Sequence, residues 1–241
     1  MISPIVILDR PQLGENIGFT ARAMLNCGLT EMRLVSPRDG WPNSAADAAA
    51  AGADQVIVDA GCFESLEAAI GDCHRVYAAT ARRREQIKRI LTPREAAGEM
   101  HAVMSEGETK IGLLFGPERS GLENDAVALA DAVIEVPLNP EFSSLSLAQA
   151  VLLVAYEWWL ANLEEKVEAS DLRGEPATKE ELLNYFVRLE TALDESGFFH
   201  VAEKRPIMVR NIRNLFQRAN LTEQEIRTLQ GILTSLSQPR D

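Results

Sequence analysis

Three stretches of this 241-residue chain, two of them glycine-bearing, hold the side chains that could do chemistry. The first, Asp9 to Arg22 (DRPQLGENIGFTAR), sets Asn16 and Arg22 around Gly14 and Gly18, which bracket a turn into a helix. Glycines let a backbone turn tightly or approach a ligand, while Asn and Arg offer an amide and a fixed cation. The spacing is not the GxGxxG of a dinucleotide site, and a capped helix with a surface arginine is the competing reading. The second, Lys110 to Asp125 (KIGLLFGPERSGLEND), spaces Gly116 and Gly121 as a phosphate loop does. However, Leu122 and Glu123 stand where that loop needs Lys and Ser or Thr. Glu118 and Glu123 would repel a triphosphate, so the turn suits a neutral or cationic ligand held by backbone groups, unless it is a plain strand-to-helix turn. The third, Ile134 to Ala150 (IEVPLNPEFSSLSLAQA), puts Ser143, Ser144 and Ser146 before an apolar helix. Helix capping explains at least one of these hydroxyls but not all three.

Other chemistries lack their parts. There is no GxSxG elbow, and His74, His101 and His200 show no partner pattern for nucleophilic hydrolysis. Cys27, Cys62 and Cys73 have no CxxC spacing, and no His/Cys/Asp/Glu cluster has metal-ligand spacing. Neither a disulfide framework nor a metal is expected.

The elements that must hold the three loops alternate in type. β-rich runs at Pro4–Leu8, Met32–Val35, Gln55–Val58, Arg75–Ala79, Lys110–Phe115 and Ala132–Val136 are separated by helix-length segments, among them Asn16–Cys27, Ser65–Ile70 and Pro93–Glu106. This rhythm predicts an α/β fold, a mainly parallel sheet with helices on both faces and ligands outside the carboxyl ends of its strands. It stops after Val136, where PLNPEFSS leads into a helix from about Ser146 to Ala161. The chain then divides into an α/β domain (1–163), a polar linker (164–178) and a small all-helical extension (179–241). In the extension, helices are expected over Lys179–Ser196, Ile207–Arg218 and Glu223–Leu236, with Thr222 and Glu225 capping the last.

Composition narrows the partners. With 46% hydrophobic and 25% charged residues the chain suits a packed fold, and its formal charge of −12 disfavours indiscriminate binding to polyanions. The longest apolar stretch, Leu145–Leu160, is interrupted by Ser146, Gln149 and Glu157 and falls short of the roughly 20 residues that span a bilayer. The opening residues lack a basic, signal-like segment. The expectation is an unprocessed cytoplasmic chain without a membrane segment.

Taken in order, the three stretches resemble the motifs of the SpoU-type RNA ribose methyltransferases of the SPOUT superfamily. Asn16, Gly18 and Arg22 match N-x-G-x-x-x-R, and Phe115, Gly116, Glu118 and Gly121 match F-G-x-E-x-x-G. Pro137 followed by Ser144, Leu145, Ser146 and Ala148 matches the third motif. The segments ATARRR, NPEFSSLSLAQAV and KRPIMVRNIRNLFQRANL look most like the tRNA branch that modifies the ribose of nucleotide 32 in the anticodon loop. Ser146 stands where the family usually has Asn, and Phe142 where that branch often has Tyr.

The resemblance implies a sheet whose C-terminal segment is threaded into a trefoil knot, S-adenosyl-L-methionine as cofactor, tRNA as substrate, and a homodimer in which each active site draws on both protomers. It assigns cofactor contacts to Ala79, Thr80, Ala81, Gly116, Val136, Ser143, Ser144 and Leu145. Arg22 is the catalytic arginine, with Asn16, Glu118 and Ser144 orienting it and the ribose. Two basic runs flank these motifs: six cations against Glu85 between Arg82 and Arg94, and five against Glu203 between His200 and Asn220. Solvated charge is the usual reason for such runs; phosphate contact by Arg82, Arg84, Lys88, Arg89, Arg210 and Arg213 is the reading that fits an RNA substrate. The same reaction on ribosomal RNA, or an RNA-binding protein without turnover, are the competing functions.

Overall fold

A computed structural model describes residues 3–80, 87–107, 109–163 and 175–237. Seven strands form one sheet: β1 (Ile5–Asp9), β2 (Met32–Val35), β3 (Gly61–Phe63), β4 (Arg75–Ala79), β5 (Arg89–Leu91), β6 (Ile111–Phe115) and β7 (Ala132–Ile134). Their order is β3-β2-β1-β6-β4-β7-β5, and every pairing is parallel. Between them lie helices α1 (Gly14–Asn26), α2 (Ser44–Ala50), α3 (Asp54–Val58), α4 (Leu66–Ile70), α5 (Pro93–Ser105) and α6 (Asn124–Ala128), and α7 (Leu147–Leu163) follows the last strand.

Strand alternation sends side chains to two cores. Val6, Leu8, Leu113 and Phe115 pack with α1, α2, α5 and α7, while Ile5, Ile7 and Leu114 pack with α4 and α6 on the other face. Burial on both faces is why these strands read as continuous apolar runs. The register sets the strand ends level: Leu8 lies beside Phe115, Phe115 beside Ala79, and Ala79 beside Ile134. The three chemistry-bearing loops therefore leave the sheet along one edge.

Two local expectations are corrected. Gln55–Val58 is not a strand; it lies in α3, where Val56 and Ile57 are buried, and the next strand is Gly61–Phe63. A short apolar run has too few residues for its period to separate helix from strand. Gly14 and Gly18 do not bracket a turn, since both lie in α1. Their lack of a side chain admits α2: a Cβ on Gly18 would sit 2.3 Å from the Ala46 carbonyl oxygen, and one on Gly14 the same distance from Asn43.

The C-terminal region holds α8 (Lys179–Glu195), α9 (Arg205–Ala219) and α10 (Glu223–Ser237) around Leu182, Tyr185, Phe186 and Ile226. Of the expected linker, 164–174 lies outside the described residues. Ala177 is buried, and its N–H donates to the Leu221 carbonyl. Thr178 and Glu181 form a reciprocal cap on α8, and Thr222 and Glu225 one on α10. This region is fastened to the sheet by a buried polar cluster. Lys179 Nζ donates to Asp131 Oδ1 at 2.5 Å and to Gln217 Oε1 at 2.7 Å, while Asp131 Oδ2 accepts from the Val76 N–H. Lys179 and Asp131 side chains are each 3% exposed. Arg210 of α9 pairs with Asp125 in the first turn of α6.

Candidate active site

At the level strand ends the loops enclose a cavity of about 380 Å³. Ala79 and Thr80 come from the end of β4, Gly116 to Arg119 and Gly121 from the loop after β6, Val136 and Leu138 from the segment after β7, and Ser143 to Leu147 from the stretch that leads into α7. The size and the mixed apolar and hydroxyl lining fall within the range of small-molecule sites. Gly116 makes the second loop possible: a Cβ there would lie 2.3 Å from Leu122 N, and Gly121 turns the chain at a φ of +64°. The loop thus folds back against Gly116 itself, and this close packing of backbone on backbone shapes that wall of the cavity.

Glu118 joins the first and second loops. Its Oε1 accepts from Asn16 Nδ2 at 2.7 Å and, less closely, from Leu13 N, while Oε2 accepts from Gln12 N at 2.9 Å. At the third loop, Ser146 caps α7 by accepting from Gln149 N, and Gln149 Oε1 accepts from Ser146 N in return. Ser143 and Ser144 make no hydrogen bond among the described residues, so both hydroxyls are available to a ligand. A larger groove of about 750 Å³ lies between α4 and α8. Its guanidiniums are committed, Arg33 to Glu31 and Asp72 and Arg213 to Glu190. Among the described residues no group of His, Cys, Asp and Glu could hold a metal, and no helix is long and apolar enough to cross a membrane.

Comparison with known proteins gives this geometry its context. The model of the SpoU rRNA Methylase family matches residues 3–156, and that of the tRNA methyltransferase TrmJ C-terminal domain matches 180–241. The chain belongs to the SpoU methylase family. It is 36% identical over 98% of its length to the tRNA (cytidine/uridine-2'-O-)-methyltransferase TrmJ of Pectobacterium atrosepticum, covering 97% of that protein. It is 38% identical to the Salmonella typhimurium protein of the same name, over 97% of this chain and 96% of that one. Among solved structures, TrmJ from Z. mobilis ZM4 superposes with a TM-score of 0.88 at 49% identity, over 98% of this chain and 100% of the other. AviRb from Streptomyces viridochromogenes, a SpoU methyltransferase solved with the cofactor AdoMet, shares the fold at a TM-score of 0.53 and 18% identity, over 68% of this chain and 63% of the other.

Of the residues assigned to the cofactor from the SpoU resemblance, Ala79, Thr80, Gly116, Val136, Ser143, Ser144 and Leu145 all line this cavity. Ala81 lies outside the described residues, as do Arg82 and Arg84. Arg22 is elsewhere. It sits on the outward stripe of α1 with Glu15, Phe19 and Asn26, exposed and away from the cavity of its own chain. The remaining cations expected at RNA have internal partners. Lys88 Nζ donates to the carbonyls of Ala128 and Ala130, and burial pulls its ammonium down to about 7. Arg89 makes a two-bond pair with Glu99. Arg213 pairs with Glu190 and lies over the Phe186 ring. Sequence reasoning passed over Arg119, an exposed cation on the cavity wall with no ion pair among the described residues. Its place beside Glu118 in the second loop was the available signal.

Proposed function

We propose that this chain is a cytoplasmic, S-adenosylmethionine-dependent tRNA methyltransferase that modifies the ribose 2'-hydroxyl of nucleotide 32 in the anticodon loop and works as a homodimer. One observation carries the reading: residues assigned to the methyl donor from four separate segments line a single cavity at the strand ends. The full-length likeness to proteins named tRNA (cytidine/uridine-2'-O-)-methyltransferase supports the reaction, and the C-terminal match favours tRNA over ribosomal RNA. The strand order, with β6 inserted between β1 and β4 and β7 between β4 and β5, is consistent with a knotted C-terminal segment.

When bound, the cofactor supplies an electrophilic methyl on a sulfonium, and an in-line transfer to oxygen calls for placement more than for a metal. The protein's part is placement and charge. Gly116 and the hydroxyls of Ser143 and Ser144 would hold the donor, and Ile134, Leu145 and Leu147 would exclude water from it. Glu118 fixes Asn16 and the first loop beside the cavity. Arg22, a cation with no acceptor lone pair, would act by stabilising the alkoxide that forms as the ribose hydroxyl gives its proton to water.

Pairing of two copies brings Arg22 into play. The outward faces of α1 and α7, which pack side by side, expose Phe19 (50%), Leu152, Leu153, Tyr156 and Trp159 (41%). A second copy covering this face would carry its Arg22 toward the neighbouring cavity. Arg82 and Arg84, with the partly exposed Arg89 and Arg210, then serve RNA phosphates, while Arg213 stays paired with Glu190 and Lys88 positions the start of β5.

Incubation with isotope-labelled S-adenosylmethionine and total tRNA, followed by nucleoside mapping, tests the reading. Label is expected as a 2'-O-methylated pyrimidine at nucleotide 32. Label confined to ribosomal RNA, or none despite RNA binding, would contradict it.

A further inference from the structure

We propose that the rim of this cavity is a subsite for the target nucleotide, in which Phe142 stacks on its base and Arg119 takes an adjacent phosphate. The proposal rests on the ribose-methylation reading above. A 2'-hydroxyl sits on a sugar between base and phosphate, so a cavity that admits it must leave those two groups at its mouth, on different sides.

The mouth carries one group suited to each. Phe142 immediately precedes Ser143 and Ser144 of the cavity wall, and its side chain is 75% exposed, unusual for a phenylalanine. The exposure is built in. Phe142 N–H donates to the Asn139 carbonyl at 2.9 Å and Glu141 N–H to Asn139 Oδ1 at 3.1 Å, a turn that presents the ring outward. Arg119 comes from the second loop. Its neighbour Glu118 spends both carboxylate oxygens on Gln12, Leu13 and Asn16, and Arg119 has no ion pair among the described residues. An unpaired guanidinium at the mouth of a cavity, in a chain of charge −12, matches a phosphate.

Phe142 also fits a choice among pyrimidines. Cytosine and uracil present opposite donor and acceptor patterns at their exocyclic positions. A phenyl face reads neither pattern and stacks on both rings, whereas a hydroxyl-bearing ring would add a polar group. The ring in place is therefore compatible with C and U alike.

Anticodon stem-loop RNAs carrying C or U at the target position provide the test. Phe142→Ala is expected to raise the KM for RNA about tenfold with both RNAs, leaving affinity for S-adenosylhomocysteine and the salt dependence of RNA binding unchanged. Phe142→Trp should retain the wild-type KM and Phe142→Leu should not. Arg119→Ala is expected to weaken RNA binding and to reduce the slope of log K against log salt by about one. An unchanged KM for Phe142→Ala, a wild-type KM for Phe142→Leu, loss of the dimer in Phe142→Ala, or an unchanged salt slope for Arg119→Ala would each overturn the subsite. If the wild-type chain transfers no methyl to RNA, the functional reading falls. The salt slope of RNA binding, and RNA affinity of the Phe142 variants, would still decide the subsite.

Discussion

The Asn16 side-chain amide donates to Glu118 Oε1 across 2.7 Å, linking loops that leave different strands and lie 102 residues apart. The same carboxylate also receives the backbone N–H groups of Gln12 and Leu13. Glu118 is thus a strut between the first loop and the cavity. Glu118→Ala should lower kcat/KM for methyl transfer by about tenfold or more through misplacement of the first loop, at a stability cost of about 1–2 kcal/mol. Glu118→Gln keeps an acceptor for Asn16 but loses one for the backbone, and its single-turnover rate should fall between the two.

The buried Lys179–Asp131 pair governs how the C-terminal helices sit on the sheet. Burial lowers the Lys179 pKa, and Asp131 opposes that shift. Lys179→Met should lose about 3–5 kcal/mol in urea unfolding, because Asp131 is left as an uncompensated buried charge. Combining Lys179→Met with Asp131→Asn should recover part of that loss, since the side-chain amide oxygen introduced by the second change can still accept from the Val76 N–H.

The same sheet shows what the sequence could and could not reveal. Apolar runs placed β1, β2, β4, β6 and β7 and failed where the run was short or polar: Gln55–Val58 folds as part of α3, and Arg89–Leu91, lying in a basic run, gave no strand signal. The cavity-lining residues were legible because the motifs lie within a few positions of strand ends. What each glycine does was not legible, since Gly18 is shaped by the close approach of α2, a tertiary contact that neither stretch shows by itself. Nor could the basic runs be divided from sequence alone: Lys88, Arg89, Arg210 and Arg213 meet partners 10 to 85 residues away.

Stability should depend on pH at both ends of the range. The Lys88 ammonium is pulled down to about 7 by burial, so above that value the unfolded chain holds the extra proton and stability rises with pH until about 10.4. Neutral Lys88 still has two N–H groups for its two carbonyl partners. Lys88→Met should flatten this rise in denaturant titrations between about pH 7 and 10. Asp72 behaves oppositely: hydrogen bonds from Arg33, then Lys110, hold it well below the usual carboxylate range. Its contribution is full above about pH 4 and is lost as acid protonates it, so Asp72→Asn should flatten the acid limb.

Arg22, on an exposed apolar face and not among the residues lining its own chain's cavity, makes complementation a direct probe of the proposed shared site. Arg22→Ala and Gly116→Val should each be inactive, the second because a side chain there collides with Leu122. Mixed after dissociation, they should regain about a quarter of wild-type activity, since half of the random dimers hold one complete site of two. No recovery, in a mixture shown to contain heterodimers, would place Arg22 in its own chain's site or outside catalysis.

Diffraction from crystals soaked with S-adenosylhomocysteine tests the central claim most directly. Density for the nucleoside is expected between Ala79, Gly116 and Leu145. Density only in the groove between α4 and α8, or none at the strand ends at saturating ligand, would contradict the assignment.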